Sequence, residues 1–324
     1  MNRMLNVVQG IAIIALIFFP KSSSVAAAPA AHQEFSLQAE SPQFWKVVNR
    51  HAKLTLAAGG FKFTEGPVWD ESGFLYFSDE KGNKIYRLYP DGRKEEVIAI
   101  GDPDGNTFDR QGQFIDCSSV LRAVVQITPD GKYKILADHF EGMKLNTPND
   151  VVPGPDGALY FTNPNMDLVA GAKQEIPYQG VYRLDSGGNL RLLTKELDQP
   201  NGLAFSPDGK RFYVDDSEQR NIRVYDFTPD AALANGRIFG VEPGGKDDGV
   251  PDGMKVDRKG NLYVVGPKGI WVWDAEGKHI GTIVMPEQPA NLAWGDKDHR
   301  TLYITATTSV YRLRMKIQGF VPYL

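Results

Sequence analysis

Apolar residues along most of the chain recur at every second position in runs of five to seven, and each run ends at an Asp, Gly or Pro cluster. That period belongs to half-buried strands, and sustained helical spacing is hard to find after the first thirty residues. The runs are copies of one another. "EGPVWDESGFLYFSD", "NDVVPGPDGALYFTN", "NGLAFSPDGKRFYVDD" and "DGMKVDRKGNLYVVG" share a layout, and "DGNTFDRQGQFIDC" and "NLAWGDKDHRTLYIT" are weaker versions of it. Each begins with an acid or amide, alternates through one strand, turns, and enters a second. With Leu75, Phe114, Leu159, Phe212, Leu262 and Leu302 as equivalent points, the spacings are 39, 45, 53, 50 and 40.

A third strand follows in every unit ("KIYRLYP", "AVVQITP", "GVYRLDS", "IRVYDFT", "GIWVWDA", "SVYRLRM") and a fourth in most ("KEEVIAI", "KYKILAD", "NLRLLTK", "KHIGTIVM"). Turns such as "PDG" supply the backbone conformations that tight hairpins need. Four short antiparallel strands at this period predict a β-propeller blade, and six units predict an all-β, six-bladed ring over residues 52–324. The sixth unit lacks a clear outer strand. Residues 52–58, "AKLTLAA", are expected to pair there and close the circle, with "KIQGF" near the end of the chain as the rival.

In such a ring the first strand of each blade lines the channel, so residues at equivalent strand starts converge. Here they are Glu65, Asp104, Asn149, Asn201, Asp252 and Asn291, each 10 or 11 residues before its blade's reference point. All six are oxygen donors. Asn and Asp are also common at strand ends, where they satisfy backbone groups. Three converging acids nevertheless repel one another unless a cation lies between them, and mixed carboxylates and carboxamides suit a hard cation. A divalent-metal site in the central channel is therefore expected. Calcium fits best and magnesium next; zinc comes last, because His32, His51, His139, His279 and His299 all miss the channel phase.

Strand direction also brings the connections between second and third strands to the same face. These include "SDEKGN", "DCSSVL" and "DDSEQRN". The longest, "NPNMDLVAGAKQEIPYQG", is a candidate lid with Met166 and Tyr178. Ser119 and Asn163 stand at the ends of second strands on this face. With Asp104 and Asn291 they are the expected substrate-binding groups.

Composition removes several alternatives. Residues 1–30 carry Arg3, the apolar stretch "GIAIIALIFF" and small residues in "SVAAAPAA", the layout of a cleavable secretory signal. Residues 31–51 form an N-terminal extension. Loss of the signal takes away Arg3 and Lys21 but no acid, moving the formal charge from −4 to −6. Without a basic block, nucleic acid and anionic membrane surfaces are poor partners, and a small molecule is the expected one. The lone Cys117 excludes an internal disulfide. A periplasmic or secreted monomer stabilised by packing is the simplest expectation.

The stretches "FTEGPVW", "GNTFDRQGQ", "LNTPNDVV", "PNGLAFSPDGKRFYV", "PDGMKVDRKGNLYV" and "TLYITATTSVYRL" resemble the gluconolactonase, senescence-marker-protein-30 (regucalcin) and luciferin-regenerating-enzyme family, over residues 55–315 and with every blade in order. The resemblance implies a six-bladed propeller with a divalent cation, usually calcium, in the channel, and hydrolysis of sugar lactones. It further implies Glu65, Asn201 and Asp252 as direct metal ligands. Asn149 would join the metal shell or orient substrate, and Asp252 would also be the general base. The chain departs from the family pattern at Cys117-Ser118-Ser119 in place of Cys-Glu-His, at Asn163 in place of Asp, and at Asp104 in place of Asn. No Gly-x-Ser-x-Gly elbow supports an acyl-enzyme route. A metal-dependent lactonase is the leading expectation, with a non-catalytic binding propeller holding structural calcium, or a phosphotriesterase-type hydrolase, as alternatives.

Overall fold

The structure, a computed structural model, describes residues 33–324 apart from residue 246; the signal-like segment lies outside the described residues. The six repeats fold as six four-stranded antiparallel blades. The innermost strands are Thr64–Asp70, Pro103–Phe108, Val151–Pro153, Pro200–Phe205, Met254–Val256 and Pro289–Gly295. Each pairs with the strand after it, and so outward to the blade's rim. The hairpins are set by short acid turns: Asp70, Asp109 and Asp257 each accept the backbone N–H two residues on, at 2.7, 2.9 and 2.8 Å. This side-chain mimic of a turn explains why Asp recurs at one phase of the repeat.

Between blades the alternating apolar positions interlock. Tyr76 stacks on Phe114 with ring centroids 4.3 Å apart, and Trp69 stacks on Tyr303 at 5.5 Å. The fully buried Tyr160, Phe161, Phe212 and Leu302 lie within these seams. Packing of this kind, at about 25 cal/mol per Å² of apolar surface, is what holds a ring that has no disulfide.

Leu54–Gly59 pairs with Ser309–Arg314 and supplies the outer strand of blade 6, as expected from its pattern. The rival segment does something else. Gly319 and Phe320 donate to His299 O at 2.7 Å and Val256 O at 3.0 Å, and the tail then crosses the channel's far end. There Tyr323 donates to Trp69 O at 2.7 Å and packs against Phe108. The extension before residue 52 is also structured. Ser36–Ala39 adds a fifth strand to blade 5, and the turn of helix Phe44–Val47 buries Phe44 in the seam between blades 5 and 6. No helix among the described residues is long and apolar enough to cross a membrane.

Candidate metal centre in the central channel

The six ring residues meet. Asn149 Nδ2 donates to Asp104 Oδ2 at 2.7 Å, joining blades 2 and 3. Asn291 Nδ2 donates to Glu65 Oε2 at 3.0 Å, joining blades 6 and 1. The Asn201 amide supports the Asp252 carboxylate and donates to Ser217 Oγ at 3.2 Å. Ser217 Oγ in turn donates to Pro251 O, beside Asp252. All are buried except Asp252, which is partly exposed and so is the ring acid most open to the mouth.

The backbone permits this approach because small residues follow the ring positions. Gly66 has φ 51°, and a Cβ there would sit 1.9 Å from Asp104 O. A Cβ on Gly253 would lie 2.1 Å from the Asn291 amide. Only glycine lets neighbouring strands pack this closely at the channel's neck.

Hydrogen bonding divides the ring into two classes. Asn149 and Asn201 spend their N–H groups on neighbours, which leaves each Oδ1 for a ligand. Glu65 Oε2 takes the Asn291 amide and the Gly66 N–H, leaving Oε1. Asn291 is different, because its Oδ1 accepts Lys255 Nζ at 3.1 Å and Leu292 N at 2.8 Å. With both ends occupied it orients Glu65 rather than offering an oxygen. Asp104, accepting from Asn149, likewise orients a neighbour. The oxygens that could hold a cation are therefore those of Glu65, Asn149, Asn201 and Asp252, with the second oxygen of Asp104 beside them, a hard donor set.

The electrostatics agree with that donor set. Burial, the Asp150 carboxylate and Glu80 push Glu65 up to about 8, against the Gly66 and Asn291 hydrogen bonds that lower it. Burial, then Glu80 and Glu65, drives Asp104 well above the usual carboxylate range. Burial, then Glu65 and Asp150, does the same to Asp252. Burial and mutual repulsion of this kind favour the protonated acids, and a divalent cation at their centre would reverse the shift.

Ser119 and Asn163 stand apart from this ring. Both are buried, Asn163 beside the Tyr182 hydroxyl. The expected lid, residues 163–180, is anchored by the fully buried Ile176. It reaches blade 2 through Arg122, which donates to Lys173 O at 3.2 Å, and blade 1 through an Asp167–Lys81 pair at 3.6 Å. Lys81 also pairs with Glu80 and Asp102, and the three acids each bring an oxygen within 4.8 Å of the others.

Sequence reasoning missed Lys255, Asp150 and Asp215, which form a second layer under the ring. Asp150 does carry a signal, as the single acid in a position that is glycine in four other blades. Lys255 carries none, since a lone lysine in a strand is ordinarily solvated.

A family model described as the SMP-30/gluconolactonase/LRE-like region matches residues 63–308. A gluconolactonase of Zymomonas mobilis is 32% identical, the match covering 86% of each chain. Pentonolactonase XacC of Haloferax volcanii is 29% identical over 74% of this chain and 80% of its own. The solved structure of XC5397, a gluconolactonase from Xanthomonas campestris, superposes with a TM-score of 0.79 at 29% identity, covering 89% of this chain and 99% of that one. With the matched region running from the first blade into the sixth, the chain belongs to the SMP-30/gluconolactonase/luciferin-regenerating-enzyme family.

Proposed function

We propose that the protein is an exported, metal-dependent lactonase that opens a sugar-type lactone at the channel mouth. The observation carrying this reading is the division of the ring: oxygens left over from hydrogen bonding at Glu65, Asn149, Asn201 and Asp252, the last a partly exposed acid. The relatives named as lactonases support the substrate class. The leader-like first thirty residues support export to a periplasm or the medium.

When bound, a divalent cation, calcium by donor chemistry, supplies Lewis-acid polarisation of the lactone carbonyl. The residues do the rest. Asn149 and Asn201, fixed by Asp104 and Ser217, hold the ring geometry with little reorganisation during reaction. Asp252 takes the proton of the attacking water as the water oxygen bonds to the carbonyl carbon. The ring C–O bond then breaks, and its oxygen leaves as the alcohol after accepting that proton. A base is needed because water is a poor nucleophile at neutral pH, and a desolvated carboxylate is a stronger base than a solvated one.

The test is proton release from glucono-1,5-lactone followed with a dye, with added calcium and with chelator. Turnover that chelator removes and calcium restores, and that falls by about 10²–10⁴ in Asp252→Ala, is expected. Calcium binding without turnover on sugar lactones would instead make the protein a binding propeller. Turnover of a phosphotriester alone would move it to the other hydrolase class.

A further inference from the structure

Blades 3 to 6 share a feature that blade 2 breaks. Where the inner strand pairs with the middle of the second strand, both partners are apolar: Val151 with Phe161, Leu203 with Val214, Met254 with Val264, Leu292 with Ile304. At the same register blade 2 pairs Asn106 with Asp116. Both are buried, at 5% and 0% exposure, and Asn106 Oδ1 and both Asp116 oxygens have no hydrogen-bond partner among the described residues. Replacing an apolar pair by such groups costs roughly 1–3 kcal/mol per unsatisfied atom, so a compensating use is expected.

That use lies at the other end of the Asn106 amide. Its Nδ2 donates to Gly66 O at 2.8 Å and Ser78 Oγ at 2.8 Å, with Asp104 O at 3.3 Å. Ser78 Oγ donates to Asp104 O at 2.8 Å. One side chain therefore ties the carbonyl following Glu65 in blade 1 to the carbonyl of Asp104 in blade 2. This is the place where the two strands approach so closely that a Cβ on Gly66 would strike Asp104 O.

We propose that Asn106 and Asp116 form a positioning pair that sets the Gly66–Pro67 peptide, directly after Glu65, against Asp104 and so fixes the blade 1–blade 2 side of the cation site. Burial, outweighing the Asp104 backbone N–H that lowers it, holds the Asp116 carboxyl well above its ordinary range. As a neutral acid opposite Asn106 it donates to Oδ1 and locks the amide with Nδ2 toward Gly66. The inference rests on the reading of Glu65 as a cation ligand. Groups that orient ligands in this way are typically worth 10–100-fold in metal affinity.

The decisive variant is Asn106→Leu/Asp116→Val, which gives blade 2 the apolar pair that blade 4 already has. Calcium affinity is measured by isothermal titration calorimetry, and thermal stability in chelator alongside it. Expected is a variant that melts in chelator at or above wild type yet binds calcium at least tenfold more weakly. Asp116→Asn, which keeps a donor for Asn106 Oδ1, should stay within about twofold of wild type. Asp116→Val alone should lose affinity in the same direction as the double variant and carries the test if the double variant does not fold. A folded double variant that binds calcium as tightly as wild type overturns the proposal. If wild type binds calcium with this dependence but opens no lactone, the positioning pair stands and the hydrolytic reading falls. If wild type binds no divalent cation, both fall.

Discussion

At its mouth the channel gathers Glu65, Asp104, Asn149, Asn201, Asp252 and Asn291, with Asp150 and Asp215 behind them. At its far end the same six strands present Val68, Thr107, Val151, Leu203, Val256 and Trp294, covered by Phe320, Val321 and Tyr323 of the tail. The strands are one continuous set, so the contrast belongs to side chains and not to backbone. The mouth is arranged against its own stability, because buried acids repel and are desolvated. The floor is arranged for stability: among the described residues its polar side chains are Lys255, Asn106 and Thr107, and the Tyr323 hydroxyl and Trp294 ring N–H are spent on Trp69 O and Val256 O. Function and cohesion are thus separated by a few residues along each strand.

Removal of the floor is the largest expected effect. A chain ending at residue 317 exposes the apolar floor and loses the Tyr323–Trp69 bond, the Tyr323–Phe108 contact and three tail-to-ring backbone bonds. The loss is expected to be about 4 kcal/mol, seen as a drop of roughly 8–16 °C in the thermal midpoint. Calcium affinity in the folded fraction should hardly change. Equal losses of stability and affinity would show that the two ends are coupled and not separate.

Proton competition at the mouth comes next. Without metal Glu65 titrates near 8 in the fold, against 4.5 unfolded. Folding in chelator therefore takes up a proton between about pH 4.5 and 8. That contribution to stability is full below 4.5 and is lost as pH rises through 8. Calcium must displace the proton, so its affinity should rise by up to about tenfold per pH unit across the same window and level off above it. Calorimetric titrations at pH 5.5, 6.5 and 7.5 check the slope. Glu65→Gln should flatten it while raising the melting temperature in chelator. A pH-independent affinity would mean that the acids are already ionised without metal.

Half of this contrast is legible in the amino-acid sequence. The ring and its six donors can be read because period-2 runs and acid turns repeat, and closure converts equal phase into spatial convergence. Leu54–Gly59 is legible for the same reason, since an open outer edge needs a partner. The floor is not. "KIQGF" has a strand-like pattern, but its residues meet the ring through single bridges across blades, and no local pattern encodes that. Ser36–Ala39 is too short and too exposed to show alternation. Asp116 stands out only as an oddity in "FIDC", because its meaning depends on its partner Asn106. Strand direction sets Ser119 and Asn163 at the ends of second strands, but direction says nothing about depth, and both side chains are buried.

Lys255 is where the two ends touch, and its effect should be smaller. Its stem lines the floor cavity while its ammonium reaches Asn291 Oδ1 and lowers the Asp150 carboxyl from where burial puts it. A cation in the ring would feel this like charge across the Asn291 amide. Lys255→Met keeps the apolar stem and removes the repulsion, and Leu292 N–H still orients Asn291. Calcium should bind about tenfold more tightly, on an effective dielectric of roughly 20–40 over that gap. The melting temperature in chelator should fall, because Asp150 loses its countercharge. Weaker calcium binding would show instead that the lysine's hold on Asn291 outweighs its charge.

The smallest expected effect separates polar from apolar contributions at the floor itself. Tyr323→Phe removes the hydroxyl that donates to Trp69 O but keeps the ring against Phe108. Trp69 O would then be left without this donor, at a cost of about 1 kcal/mol, or roughly 2–4 °C in the midpoint. Tyr323→Ala should cost about 3 kcal/mol, most of the full truncation, if apolar covering is what the tail provides. Were the Phe and Ala variants to lose the same amount, the hydrogen bond would be the fastening and the aromatic cover incidental. The floor would then be a polar device like the mouth, and the contrast between the two ends would fail where it is easiest to measure.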